Sequence, residues 1–129
     1  MRLRLVLDTA VLIDHLNGRQ PAARALVKEA LARGDELWSS HIVRTEVLAG
    51  MRGGEEQRTY ELLSEVRWVD VDQARSDAAG DLGRQFHRTH PGIDVPDLLV
   101  AALAIELGAD LMTLNVKHYP MFPGLRPPY

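Results

Sequence analysis

Apolar and polar positions divide the chain into short buried runs and longer stretches of helical period. Leu3 to Leu7 is a brief run of branched apolar residues ended by Asp8-Thr9, which reads as a buried strand entering a helix N-cap. A helix follows near Val11 to Leu16 and closes at Asn17-Gly18. Pro21 opens a second, alanine-rich helix to about Arg33, with Gly34 as its cap, proline first and glycine last. Glu36 to Trp38 reads as a short strand, and Ser39-Ser40 offers an N-cap for a helix from about His41 to Met51. After Gly53-Gly54 another helix covers Glu55 to Glu65. Val66 to Val71 alternates like a strand. Asp72 to about His90 is helical in pattern, weakened by Gly80 and Gly83 and broken by Pro91-Gly92. Pro96 starts a helix to Leu107, Gly108 is its C-terminal glycine, and Leu111 to Leu114 is a last strand. Strands alternating with helices predict an α/β fold with a mainly parallel central sheet.

In such sheets the ligand crevice lies beyond the carboxyl ends of the strands. The residues to inspect there are Asp8, Ser39-Ser40 and Asn115. Asp8 would place its carboxylate at the crevice, or serve only as a helix cap. Glu46, on a wheel of about 100° per residue, falls between Ile42 and Val43, within the apolar arc of its helix. A carboxylate so placed is expected to be desolvated, and to be matched by an arginine or by a cation. Asp97 opens an apolar helix, and the small Ala101 and Ala104 leave room beside it. A first-turn aspartate is also favoured by the helix dipole alone. Asp94 precedes Pro96 and is expected to lie outside that helix.

Three converging carboxylates about 4 Å apart would repel by roughly 4 kcal/mol per pair at an effective dielectric constant of 20. Either some are protonated or a hard divalent cation, Mg²⁺ or Mn²⁺, neutralises them. All-oxygen ligands in a chain without cysteine favour the cation. The absence of cysteine also removes disulfides and a thiol nucleophile, and fits a reducing, cytoplasmic setting.

At 129 residues the chain has the size of one domain, residues 1–129, able to bury a core without staples. Its longest apolar run, Leu98 to Ile105, is far short of the about 20 residues of a membrane span. Fifteen basic against eighteen acidic residues, a net charge of −3, exclude nucleic-acid binding by bulk positive charge and leave only local patches. Arg44, Arg52, Arg84, Arg88, Lys117 and His118 are the cations available for such a patch. His87 and His90, three apart, could share a helix face and a metal, or simply end a surface helix. Trp38 and Trp68 read as core or interface aromatics rather than base-stacking platforms.

Four pieces carry a family resemblance: Val6-Leu7-Asp8-Thr9 with Leu12-Ile13-Asp14; Thr45-Glu46-Val47-Leu48-Ala49-Gly50; Pro96-Asp97-Leu98-Leu99-Val100-Ala101-Ala102-Leu103-Ala104; and Leu114-Asn115-Val116-Lys117-His118-Tyr119 after Thr113. In this order and at this length the chain resembles the PIN-domain ribonucleases, specifically the VapC toxins of toxin–antitoxin (VapBC) pairs. The resemblance implies a three-layer α/β/α PIN-like fold. It implies that Asp8, Glu46 and Asp97 coordinate Mg²⁺ (Mn²⁺ possible), that Asn115 joins them at the catalytic site, and that Thr9 and Thr113 are supporting hydroxyls. It further implies hydrolysis of RNA phosphodiesters by activated water, a cognate VapB-like antitoxin, and a homodimer. The family pattern often carries another acid in the last segment, where this chain has Asn115 and His118; Asp94 is a candidate to supply that charge. Two other readings stand beside the nuclease: a PIN-like RNA- or protein-binding scaffold with little turnover, and a flavodoxin-like phosphate switch using Asp8. There is no phosphate-loop, dinucleotide or nucleophile-elbow motif in the chain.

Overall fold

A computed structural model describes residues 2–129. Branched apolar residues make β1 (Arg4–Leu7), whose Leu5, Val6 and Leu7 are all buried, as a strand covered on both faces requires. Chain reversals follow at helices α1 (Thr9–Asn17) and α2 (Pro21–Arg33), then β2 (Glu36–Ser40), α3 (His41–Ala49), α4 (Glu56–Ser64) and β3 (Arg67–Val69). Helices α5 (Gln73–Phe86) and α6 (Val95–Leu107) lead into β4 (Asp110–Met112), and a turn of 3-10 helix at Val116–His118 precedes an irregular C-terminal segment.

The four strands form one parallel sheet in the order β3-β2-β1-β4. Each step from β1 to β2 to β3 moves to the next strand. The connection through α5 and α6 then returns past β2 and β1 to the far side. Right-handed crossovers put the helices of the outward and returning steps on opposite faces, giving α/β/α layers. The reversal of direction falls between β1 and β4, so the crevice opens beside Asp8 and the residue that follows β4. This order differs from the 2-1-3-4-5 order of flavodoxin-like folds and removes the phosphate-switch reading.

Several boundaries differ from the sequence expectation. Strand β2 runs on through Ser39 and Ser40. Ser39 therefore lies inside the sheet, fully buried, its hydroxyl donating to the Leu7 carbonyl at 2.7 Å, while Ser40 caps α3. Strand β4 stops at Met112 instead of Leu114, so the residue leaving it toward the crevice is Thr113, and Asn115 lies further out. Helix α5 ends at Phe86 rather than near His90. His87 is its cap and His90 lies beyond it, bonded through Nδ1 to Thr89 Oγ1, so the two histidines do not share a helical face.

Helix α6 is the central one, with Leu99 to Ala104 all buried. It packs on β1, β2, β4, α3 and α5. Its start is therefore fixed from several sides, and Asp97 with it. Of the two α5 glycines, Gly83 lies against α6: a Cβ there would stand 3.1 Å from Leu98 Cδ1. At Gly80 a Cβ would meet nothing within 4 Å. A mid-helix glycine costs about 0.5–1 kcal/mol relative to alanine. Gly80→Ala is thus expected to raise the unfolding free energy by about that amount in urea titration, and Gly83→Ala to gain less or lose.

Candidate active site

Asp8 leaves β1 and caps α1, so its main chain is fixed by strand and helix together. Its Oδ1 accepts the Thr9 N–H at 2.8 Å, and its Oδ2 accepts the Thr113 hydroxyl at 2.8 Å. The capping role and a place in the crevice therefore coexist. Thr113 is fully buried immediately after β4, so the strands on either side of the topological reversal are joined through this bond.

Asp97 sits in the first turn of α6 and forms a reciprocal capping box with Asp94: the Asp97 N–H donates to Asp94 Oδ1 at 3.1 Å and the Asp94 N–H to Asp97 Oδ2 at 3.3 Å. Asp94 is the N-cap, outside the helix as Pro96 implied. His118 Nδ1 lies 3.1 Å from the same Asp97 Oδ2. Burial raises the Asp97 pKa, and the neighbouring Asp94 adds to the shift, carrying it to about 6.

Tyr119 connects the two acids. Its ring is in the core, 1% exposed, and its hydroxyl stands 3.1 Å from Asp8 Oδ2 and 3.3 Å from Asp97 Oδ1. A phenol has one proton to donate. It can satisfy only one of these carboxylates while both are ionised. Burial, with Asp8 and Asp97 beside it, raises the Tyr119 pKa, so the hydroxyl keeps its proton. The sequence reading did not select this residue. Tyr119 was visible only as the end of the last motif piece, and what its hydroxyl meets depends on contacts 111 and 22 residues away along the chain.

Glu46 corrects an expectation. It is exposed, not desolvated, because α3 buries only Val43 and Val47 and the apolar arc is too narrow to reach it. Among the described residues no arginine pairs with it; its Oε1 accepts the Thr9 hydroxyl at 2.8 Å. Asn115 is also exposed, and its backbone N–H donates to Thr113 Oγ1 at 3.1 Å. Asp8, Thr9, Glu46, Asp94, Asp97, Asn115 and His118 all line one cleft of about 240 Å³, walled further by Ala10, Ile13 and Pro96. Apart from His118, none of the cations considered for a patch lines this cleft: Arg44 stacks over Trp68 at 5.3 Å, and Arg84 pairs with Asp81.

Four carboxylates thus face one cleft whose lining contains no Lys or Arg among the described residues. The donors are hard oxygens, exposed on Glu46 and Asp94 and buried on Asp8 and Asp97, which fits Mg²⁺ or Mn²⁺ in chemistry. They are spaced by hydrogen bonds rather than closed to chelating distance: among the described residues no three His, Asp or Glu side chains form a ready metal-holding group. An ion there would keep several of its own waters, as Mg²⁺ commonly does. A larger groove of about 350 Å³ lies beside α1, α2 and α4, but its acids, Glu61 and Glu65, stand among Arg24, Lys28 and Arg58 and leave no uncompensated charge.

Residues 5–119 match the model of the PIN domain family. The chain belongs to that family. It is 44% identical over 124 residues to Ribonuclease VapC19 of Mycobacterium tuberculosis, covering 96% of this chain and 98% of that one. It is 37% identical to Ribonuclease VapC10 of the same species over 126 residues, 97% and 92% of the two chains. Among solved structures it resembles a toxin–antitoxin complex from Klebsiella pneumoniae (TM-score 0.76, 28% identity, 97% and 98% covered). It also resembles VapBC2 from Rickettsia felis bound to a promoter DNA fragment (TM-score 0.76, 25% identity, 95% and 96% covered). Within the PIN domains, these relatives place it with the VapC ribonucleases.

Proposed function

We propose that this protein is the ribonuclease toxin of a VapBC-type toxin–antitoxin pair, a single PIN domain that hydrolyses RNA phosphodiester bonds with the help of Mg²⁺ or Mn²⁺. The observation that carries the reading is the convergence of Asp8, Glu46, Asp94 and Asp97 on a cleft without a neutralising Lys or Arg. Two of these acids, Asp8 and Asp97, are buried, and like charges gathered there are costly unless something else compensates them. When bound, a divalent cation supplies neutralisation at the phosphate and acidifies a water for attack.

The chain's own groups have separable tasks. Asp8, Glu46 and Asp97 hold the cation. The Thr113 hydroxyl and the Thr9 N–H aim Asp8, and the Thr9 hydroxyl aims Glu46. His118 and the Asp94 N–H fix the second oxygen of Asp97. Asn115 presents an uncharged amide at the rim, suited to orient a water or a phosphate oxygen where a fourth ligating acid would repel it. We further propose a VapB-like antitoxin as partner, a homodimer, and action in the cytoplasm. No helix among the described residues is long and apolar enough to cross a membrane.

The absence of a closed three-ligand group favours a second reading, an RNA- or protein-binding scaffold without turnover. One experiment separates the two. Antitoxin-free protein is incubated with total and transfer RNA in Mg²⁺, Mn²⁺ or EDTA, beside Asp97→Asn. Discrete fragments that require both metal and Asp97 support the nuclease; RNA retained by the protein but uncut in every lane supports the scaffold.

The raised Asp97 pKa adds a pH dependence. A protonated carboxyl does not ligate a cation, so cleavage at low Mg²⁺ is expected to fall as pH drops through about 6. Added Mg²⁺ favours the ionised form and should move that limb to lower pH. A limb that does not respond to the metal concentration would contradict Asp97 as a ligand.

A further inference from the structure

We propose that the Tyr119 hydroxyl is a positioning group: by touching one oxygen of Asp8 and one of Asp97, it sets the spacing of the two carboxylates and so makes the cation site selective for small ions. The proposal rests on the cation-dependent reading of the cleft.

The hydroxyl is unusual in what surrounds it. It sits at the end of a buried ring, against Phe122 at 6.4 Å between centroids, in a side chain with almost no freedom to move. The two oxygens it reaches belong to residues fixed by different elements, Asp8 by the junction of β1 and α1 and Asp97 by the capping box of α6. Nothing else among the described hydrogen bonds links these two carboxylates to one another. Without the hydroxyl, mutual repulsion is free to splay them. With it, the phenol donates its one proton to one carboxylate and stands as a rigid oxygen against the other, so the first is held and the second is kept at the distance that contact sets. The remaining oxygens are held on their own sides, Asp8 Oδ1 by the Thr9 N–H and Asp97 Oδ2 by the Asp94 N–H and His118.

Fixed spacing acts on ions unequally. Mg²⁺ and Mn²⁺ need short, well-placed oxygen ligands, whereas Ca²⁺ accepts longer and more flexible ones. A carboxylate pair held from behind by a rigid phenol favours the first kind, and a pair free to adjust loses that preference. Thr113 cannot substitute, because its hydroxyl reaches Asp8 alone.

Tyr119→Phe keeps the ring and deletes only this contact. Mn²⁺ and Ca²⁺ binding to the antitoxin-free full-length protein would be measured by calorimetry, with melting in EDTA as the check on fold. The variant is expected to bind Mn²⁺ about 10- to 100-fold more weakly, in the range found when groups that orient metal ligands are removed. Its Ca²⁺ affinity should change by less than about threefold and its melting in EDTA by no more than about 3 °C, a contrast a purely structural hydroxyl would not produce. Equal losses for both ions, unchanged Mn²⁺ affinity, or a variant that does not fold would each overturn the proposal. If the parent protein binds no Mn²⁺, the cation-dependent reading itself fails, and this proposal with it.

Discussion

Asp97→Asn is expected to lose RNA cleavage by at least about 100-fold and yet, in EDTA at neutral pH, to melt about 5 °C above the parent protein. The first effect follows from removing a carboxylate proposed to hold the cation. The second follows from the proton count at Tyr119. Its single hydroxyl proton faces two acceptors, Asp8 Oδ2 and Asp97 Oδ1. An amide at position 97 turns the second acceptor into a donor, so the phenol donates to Asp8 and accepts from Asn. The amide oxygen remains available to the Asp94 N–H.

The same conclusion comes from linkage. Asp97 has its pKa raised from an ordinary value of 3.8 to about 6 in the folded protein. Between those values the folded state binds the proton more tightly than the unfolded chain, so stability falls as pH rises through that window. The penalty is complete by about pH 7; at full weight the rise corresponds to about 3 kcal/mol, which solvent screening at the open cleft reduces to the order of 1–2 kcal/mol. The advantage of the Asn variant should therefore vanish near pH 3.5 and be full at pH 7. Millimolar Mg²⁺ should stabilise the parent and not the variant, because only a folded site binds the ion. Scanning calorimetry at several pH values checks this; an Asn variant less stable than the parent at pH 7 in EDTA would contradict it.

Asp8→Ala should remove activity as completely but shift stability the other way. Asp8 accepts three donors, the Thr9 N–H and the hydroxyls of Thr113 and Tyr119, and it is the N-cap of α1. Losing an N-cap costs about 1 kcal/mol. The buried Thr113 hydroxyl then has no acceptor on this side, at a further cost of about 1–2 kcal/mol. Some of that is offset by relief of repulsion with Asp97. A net loss of about 2 kcal/mol, or about 6–10 °C in melting temperature, is expected in EDTA. Two acids of one cleft, equal in their effect on catalysis, are thus distinguished by stability, and an Asp8→Ala variant as stable as the parent would show that its three bonds contribute little.

Local pattern was enough to locate most elements. The Pro21 start and Gly34 end of α2, the first-turn Pro96 and closing Gly108 of α6, and the apolar Leu5 to Leu7 of β1 are written in contiguous residues. Boundaries slipped where neighbours rather than local pattern decide them. Strand β2 continues through two serines because Ser39 bonds the adjacent strand's carbonyl.

Chain order and residue type were sufficient to single out Asp8, Glu46 and Asp97, since acids at a strand end or in an apolar setting need an explanation. Their surroundings were not legible. Glu46 reads as desolvated on a wheel and is exposed, because a wheel gives direction but not how much of a face its neighbours cover. The sequence alone determined an α/β chain with acids after β1, on α3 and at the start of α6. The tertiary structure alone decided the strand order, the cleft without lysine or arginine, and the Tyr119 contact to both acids. The reason is physical: hydrophobic period and capping act over a few residues, whereas a hydroxyl that meets a carboxylate 111 residues away does so only once the sheet has brought β1 and β4 together.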